Sequence, residues 1–190
     1  HMGVDALYIA SQIVVAVQGL VTRRTSPTEP VIIGIGKLNA GTTYNAVAAF
    51  AEMEGTTRTI SQESRDRVRA QVSETAQSIA ALYGGTAEIE WTDFAAALVN
   101  DPQVCEEAAR VVDELLGAGH VVTDRELSLS GDNFAEFELY KPGAYAYLGT
   151  GNPDLPHTMI TNHNGGFDVD ENALVTGAGL YVGYTVARLG

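Results

Sequence analysis

Positive charge is scarce in this chain: 11 lysines and arginines stand against 24 aspartates and glutamates, a formal net charge of −13. A surface of that sign repels a phosphate backbone, so nucleic acid is not an expected partner. Cysteine is almost absent. Cys105 stands alone, no internal disulfide can form, and a reducing cytoplasm is the expected compartment. Long apolar runs are missing too. The best candidate, residues 9–21, is interrupted by Ser11, Gln12 and Gln18, so no membrane span is expected. No signal peptide is legible. His1-Met2 reads as a cloning remnant or as native sequence, and a helix that begins within five residues of the start reads as chain lying inside a larger protein.

Complete catalytic motifs are also lacking. Gly34-Ile35-Gly36 lies in or at the end of a strand, and Gly149-Thr150-Gly151-Asn152-Pro153 opens no helix, so neither is a phosphate loop. There is no nucleophile elbow and no Cys/His knuckle. Glu106-Glu107 beside Cys105 falls on a helix with an apolar stripe and reads as a solvated face.

What the chain does contain is regular. Its 190 residues, 45% hydrophobic and 18% charged, suffice for one ordinary domain or two small ones. Asp5 can cap a helix to Arg24, with Ala10, Ile13, Val14, Val17, Leu20 and Val21 at helical spacing. Residues 30–37 then read as a strand (Val31, Ile33 and Ile35 on one face), Asn39-Ala40-Gly41 as a turn, and 44–60 as a long strand with a bulge or bend near Gly55. Ser61 caps a helix to about Tyr83 that Gly84-Gly85 ends, and 86–91 reads as another strand. This order is a βαββαβ split unit without its first strand, which leaves a sheet edge unpaired.

Past a boundary near residue 96, Asp101-Pro102 opens a helix through Leu116. A short helix at 133–138, a strand at 144–148, an extended run at Met159-Ile160-Thr161 and a closing helix from about Glu171, capped by Asp170, complete an expected layered α/β arrangement. One or two strands do not make a stable sheet alone, so this half also reads as part of something larger. Among the histidines, His120 follows Gly119 in a loop and His157 follows a proline, which marks neither for chemistry. His163 is the better candidate, because it emerges where an extended run gives way to Asn164-Gly165-Gly166, with Asp168 and Asp170 close by to support a metal-bound imidazole. One ligand is not a metal centre.

Taken together, these strings resemble the metal-dependent amidohydrolases that include hippurate hydrolase, aminoacylase, the indole-acetyl-amino-acid hydrolases and related carboxypeptidases. HMGVDALYIASQIVVAVQGLVTRR resembles the first helix of that family's inserted lid, and NAGTTYNAVAAFAEMEGTTRTIS its hairpin. LSGDNFAEFELYKPGAYAYLGTGN resembles the segment whose usual Glu-Asp-Phe is here Asp132-Asn133-Phe134, and HNGGFDVDENAL the last metal-ligand segment. The resemblance implies a ferredoxin-like α+β lid lacking its first strand at 1–96 and the C-terminal part of a layered α/β catalytic domain at 97–190. It also implies His163 as a metal ligand and Asn45 and Arg58 as groups facing an N-acyl amino acid substrate. The family's Cys-Gly-His-Asp-x-His segment and Glu-Glu pair do not occur in the sequence, and Asn133 cannot hold a ligand histidine by charge as the usual aspartate would. The implied activity, hydrolysis of N-acyl amino acids with zinc, manganese or nickel, therefore belongs to a parent enzyme. This chain alone is expected to be inactive, with no metal bound and no catalytic residue of its own, and to dimerise through the lid. The competing readings are a non-catalytic dimerisation or ligand-binding module, and a small-ligand sensor argued from fold analogy alone.

Overall fold

The computed structural model describes residues 1–190. The chain divides into two compact units, His1–Ala97 with Ser128–Asn133, and Leu98–Leu127 with Phe134–Gly190.

In the first unit, helix α1 (Ala6–Arg23) starts where the Asp5 carboxylate accepts hydrogen bonds from the Leu7 and Tyr8 amides at 3.1 and 3.2 Å, which satisfies two of the donors a helix start leaves open. Its Ile9, Ile13, Val17 and Leu20 lie along one stripe and are buried. Strands β1 (Ile32–Ala40) and β2 (Ala51–Arg58) form an antiparallel two-stranded sheet. Helix α2 (Gln62–Leu82) begins at Ser61, whose hydroxyl accepts from the Ser64 amide at 3.1 Å, and is followed by Gly84 at φ +80°. Val31 and Ile33 meet α1 and Val68, Ala76 and Ala80 of α2 in one hydrophobic core. Each fully buried Val, Leu or Ile contributes about 1.5–3 kcal/mol relative to exposure. Helix α1 has the length and mean hydropathy (1.3) of a membrane span, contrary to the expectation from residues 9–21. Its buried stripe belongs to this core.

Three expectations for this unit are corrected. The strand expected over 44–60 is confined to Ala51–Arg58, because residues 42–46 form turns and bends rather than a ladder. The irregularity expected near Gly55 falls on the opposing strand: the register slips between Ile35 and Lys37, at Gly36. Gly55 faces it so closely that a Cβ there would lie 2.5 Å from the Gly34 carbonyl oxygen. Residues 86–91 form no ladder, although burial alternates along them, with Ala87, Ile89 and Trp91 inward and Thr86, Glu88 and Glu90 exposed.

The second unit is helical. Helix α3 (Pro102–Leu116) is capped by Asp101, whose carboxylate accepts from the Gln103 and Val104 amides at 2.9 and 3.0 Å. Helix α4 (Ala135–Glu138) is one turn long, a 3-10 turn covers Pro156–Met159, and α5 (Asn172–Leu189) closes the chain. Helices α3 and α5 approach through glycines: Gly179 lies against Leu115, and a Cβ at Gly183 would stand 2.9 Å from Val111 Cγ1. Glu107 is not merely a solvated carboxylate, since it accepts from Tyr184 Oη at 3.2 Å and from Arg188 Nη1 at 2.6 Å. The strand expected at 144–148 is absent because the unit offers it no neighbouring strand. Instead the Asn100 amide does what a ladder residue would: its Nδ2 donates to the Tyr145 carbonyl at 3.0 Å and its Oδ1 accepts from the Tyr145 amide at 2.9 Å. The extended run expected at 159–161 is likewise displaced, with Met159 ending the 3-10 turn and Ile160 extended behind it.

Candidate functional site

His163 stands in a turn and is exposed. It is the one non-glycine residue with positive φ, +63°, a left-handed conformation that costs an L-residue about 1–2 kcal/mol. The turn behind it supplies the compensation. Asn164 Oδ1 accepts from the Gly166 amide at 2.9 Å, and the Asn164 carbonyl accepts from the Phe167 amide at 3.0 Å.

The base of this segment is fixed by a polar network. The Asp170 carboxylate accepts from Asn152 Nδ2 at 2.7 Å and from the Asn172 amide at 3.0 Å, while the Asp170 amide donates to the Thr150 carbonyl at 2.9 Å. Asp170 therefore serves the start of α5, one position before Glu171, which makes no side-chain cap. The Asn152 side chain, followed by the Asn172 amide, holds its carboxyl below the ordinary value of 3.8. Thr158, buried, accepts from the Asn152 amide at 2.8 Å and donates to the Leu155 carbonyl at 2.8 Å. Thr158 and the structural part played by Asn152 escape a reading of the sequence. The signal available was the pair Asn152-Pro153 and Leu155-Pro156, two turn-forming dipeptides bracketing a hydroxyl residue.

His157 comes within 3.8 Å of an Asp168 carboxylate oxygen, with both side chains largely exposed. No group of three or more histidine, cysteine, aspartate or glutamate side chains is placed to hold a metal ion. The donor set does not fit a metal centre: a zinc site takes at least three protein ligands and a two-metal site more, so no chemical step can be derived through a metal from these residues. His120 lies in an exposed loop after Gly119 at φ +95°.

Asn45 and Arg58 belong to the first unit. Asn45 is exposed in the loop before β2, and its Oδ1 accepts from the Thr43 hydroxyl at 2.9 Å. Arg58 ends β2 and donates through Nη1 to the Leu129 carbonyl at 2.9 Å. Asn45 precedes β2 and Arg58 is its last residue, and at about 3.3 Å per residue the strand between them is on the order of 25 Å long. The fold does not bring them together.

Comparison with known proteins decides what frame these segments belong to. No family model matches the chain. Thermostable carboxypeptidase 1 of Saccharolobus solfataricus is 31% identical over 179 residues, covering 94% of this chain and 44% of that protein. The N-acetyl-L-cysteine deacetylase of Bacillus subtilis is 31% identical over 175 residues, covering 92% of this chain and 40% of that protein. Among solved structures, a dinuclear metal-binding peptidase of the M20 family from Bacillus subtilis superposes with a TM-score of 0.77 at 27% identity, over 97% of this chain and 46% of that one. The homologues of this chain are thus hydrolases, with a carboxypeptidase, a deacetylase and an M20-family peptidase among them. A putative aminohydrolase from methicillin-resistant Staphylococcus aureus gives a TM-score of 0.82 at 26% identity, over 98% of this chain and 47% of that one. The mixture of helices with a small antiparallel sheet matches the M20 dimerisation lid plus a partial α/β region. The chain spans less than half the length of the curated relatives it matches.

Proposed function

We propose that this chain comprises the lid, residues 1–96, and the C-terminal part of the catalytic domain, residues 97–190, of a cytoplasmic metal-dependent amidohydrolase. That enzyme splits N-acyl amino acids into a carboxylate and a free amino acid with zinc, manganese or nickel. The observation that carries this reading is the coincidence of two things at one segment: more than nine-tenths of the chain aligns with deacetylases and carboxypeptidases, and HNGGFDVDENAL puts its histidine on an exposed turn at φ +63°. A backbone outlier of this kind is a reason to look for function at that residue.

In this reading His163 supplies one metal ligand and the remaining ligands and the general base come from outside residues 1–190. Asn45 presents an amide donor to a substrate oxygen, because Thr43 has already engaged its acceptor. Arg58 retains guanidinium donors beyond the one given to Leu129, in a fork geometry suited to a carboxylate. Their separation along the hairpin means one small substrate meets at most one of them from a given chain. That favours a homodimer paired through the lid, in which two copies contribute to a site. Neither nucleic acid nor a membrane is a partner.

Fusing residues 1–190 to the N-terminal portion of the Bacillus subtilis N-acetyl-L-cysteine deacetylase tests this. We expect metal-dependent release of acetate from N-acetyl amino acids, lost at least a hundredfold in His163→Ala, with Arg58→Ala raising KM more than it lowers kcat. Residues 1–190 alone should show no turnover. Metal-stimulated hydrolysis by residues 1–190 alone would refute the division of ligands.

A further inference from the structure

Asn164 is the only asparagine in the chain that is followed by glycine. The pair sits in the exposed turn behind His163. Asn164 Oδ1 accepts from the Gly166 amide at 2.9 Å, a bond that turns the side-chain carboxamide toward the residues that follow and polarises its carbonyl carbon. Gly166 is itself closely set. A Cβ there would lie 3.3 Å from Ile160 Cδ1 and 3.5 Å from Asn164 Oδ1. The Gly165 amide, between the two, is engaged by no hydrogen bond. A Cβ at Gly165 would meet nothing within 4 Å, so the space around that residue is open.

The other asparagines lack one or more of these conditions. Asn152 precedes Pro153, whose nitrogen carries no hydrogen, and Asn39 is held in the ladder opposite Glu52. Asn100 uses its amide on both backbone groups of Tyr145. Asn172 donates through Nδ2 to Asp170 at 2.9 Å, and the amide that follows it, that of Ala173, donates to the Asp170 carbonyl at 3.0 Å. Asn45, Asn133 and Asn162 are each followed by a residue with a side chain, which crowds any ring closed through the next amide.

We infer that Asn164 is a site of self-modification, which deamidates through a succinimide closed by the Gly165 nitrogen, with water as the co-reactant. The nitrogen attacks Asn164 Cγ and a bond forms between them. The Cγ–Nδ2 bond then breaks, and ammonia leaves with the proton that the Gly165 amide gives up. During the addition negative charge gathers on Oδ1, where the Gly166 N–H already donates, as an oxyanion hole would. Water opens the ring at either carbonyl. Opening at Cγ leaves aspartate, which places a carboxylate beside His163. Opening at the main-chain carbonyl leaves isoaspartate, whose extra backbone methylene falls inside the turn closed by the Asn164 carbonyl and the Phe167 amide. The inference uses only residues 160–167 and stands apart from the amidohydrolase reading.

Residues 1–190 and a synthetic peptide of residues 160–170 are held side by side in mildly alkaline buffer at physiological temperature. Peptide mapping by mass spectrometry follows the amide-to-acid mass change at each asparagine. Asn164 should convert at least tenfold faster than every other asparagine of the folded chain, and severalfold faster there than in the peptide, which has the same residues without the fixed turn. An isoaspartyl methyltransferase should transfer a labelled methyl group to residues 1–190 only after the incubation. Gly165→Ala, which the open space admits, should slow conversion at least tenfold, and Asn164→Gln, whose ring would be larger, should abolish it, with circular dichroism confirming both folds. A rate in the folded chain no greater than in the peptide, equal rates at Asn164 and Asn162, or a rate unchanged by Gly165→Ala would each overturn the proposal.

Discussion

The two units differ in how much of their apolar surface they bury. In the first, α1 and α2 enclose a core in which Val17 and Val68 are each 1% exposed, with Ile9, Ile13, Leu20, Val31 and Ile33 around them. In the second, α5 has no buried residue, and Tyr181 and Leu189 are 83% and 82% exposed alongside Leu174, Val175, Val182 and Val186. An 18-residue helix rich in valine, leucine and tyrosine whose one helix neighbour is α3 leaves a contiguous apolar face of the kind that marks an interaction surface. The first unit holds itself together around that core. The second leaves that face open, and its His163 belongs to no group of side chains placed to hold a metal ion.

The largest effect should come from the first unit's core. Ile13→Ala removes a side chain 5% exposed, and the lost transfer energy plus the cavity should cost about 2–5 kcal/mol, read as a lower urea midpoint with exchange accelerating in α1, β1 and α2. Next, Gly183→Leu drives a side chain into Val111, where a Cβ alone would stand at 2.9 Å. Overpacking of this sort costs about 1–3 kcal/mol, and the loss of protection should be confined to α3 and α5. If it spread equally to α1, the distinction between the units would fail. Asp101→Ala deletes the two cap hydrogen bonds of α3 and should cost about 1 kcal/mol, again seen in the second unit alone.

Acid gives a smaller, shared effect. Asp93 is held below its usual value first by the Arg69 hydrogen bond, Glu29 by Ser64 and then Arg67, and Asp170 by Asn152. Each carboxyl is depressed in the folded chain, so its contribution is complete above the unfolded values of 3.8 to 4.5 and is lost as pH falls through the lower folded ones. Carbon-detected NMR titration should find Asp170→Asn removing this dependence from the second unit while leaving that of Asp93 and Glu29. Smallest of all, His163→Gly should leave thermal stability unchanged or slightly raised, because glycine accepts φ +63° without strain, whereas His163→Val should lower it.

Helical elements were the most legible from sequence, for a reason. Asp5, Ser61 and Asp101 are local caps, and the stripes on α1, α2 and α3 need no distant partner to be read. Residues 86–91 and 144–148 also read as strands from the local sequence, but a strand exists only with a neighbour. In one place none is present, and in the other the Asn100 side chain stands in for it. The order of histidine, turn and Phe167-Asp168-Val169-Asp170 is legible because it is contiguous. The positive φ of His163 and the Asn152–Thr158–Asp170 network were not, since they depend on a loop folding back over 18 residues.

Native-state hydrogen exchange across residues 1–190 tests the contrast most directly. The account predicts that the slowest amides lie in α1 and α2 and exchange only by global unfolding, while α3 and α5 open at a lower free energy. Equal protection of α1, α2, α3 and α5, lost together in one transition, would contradict it.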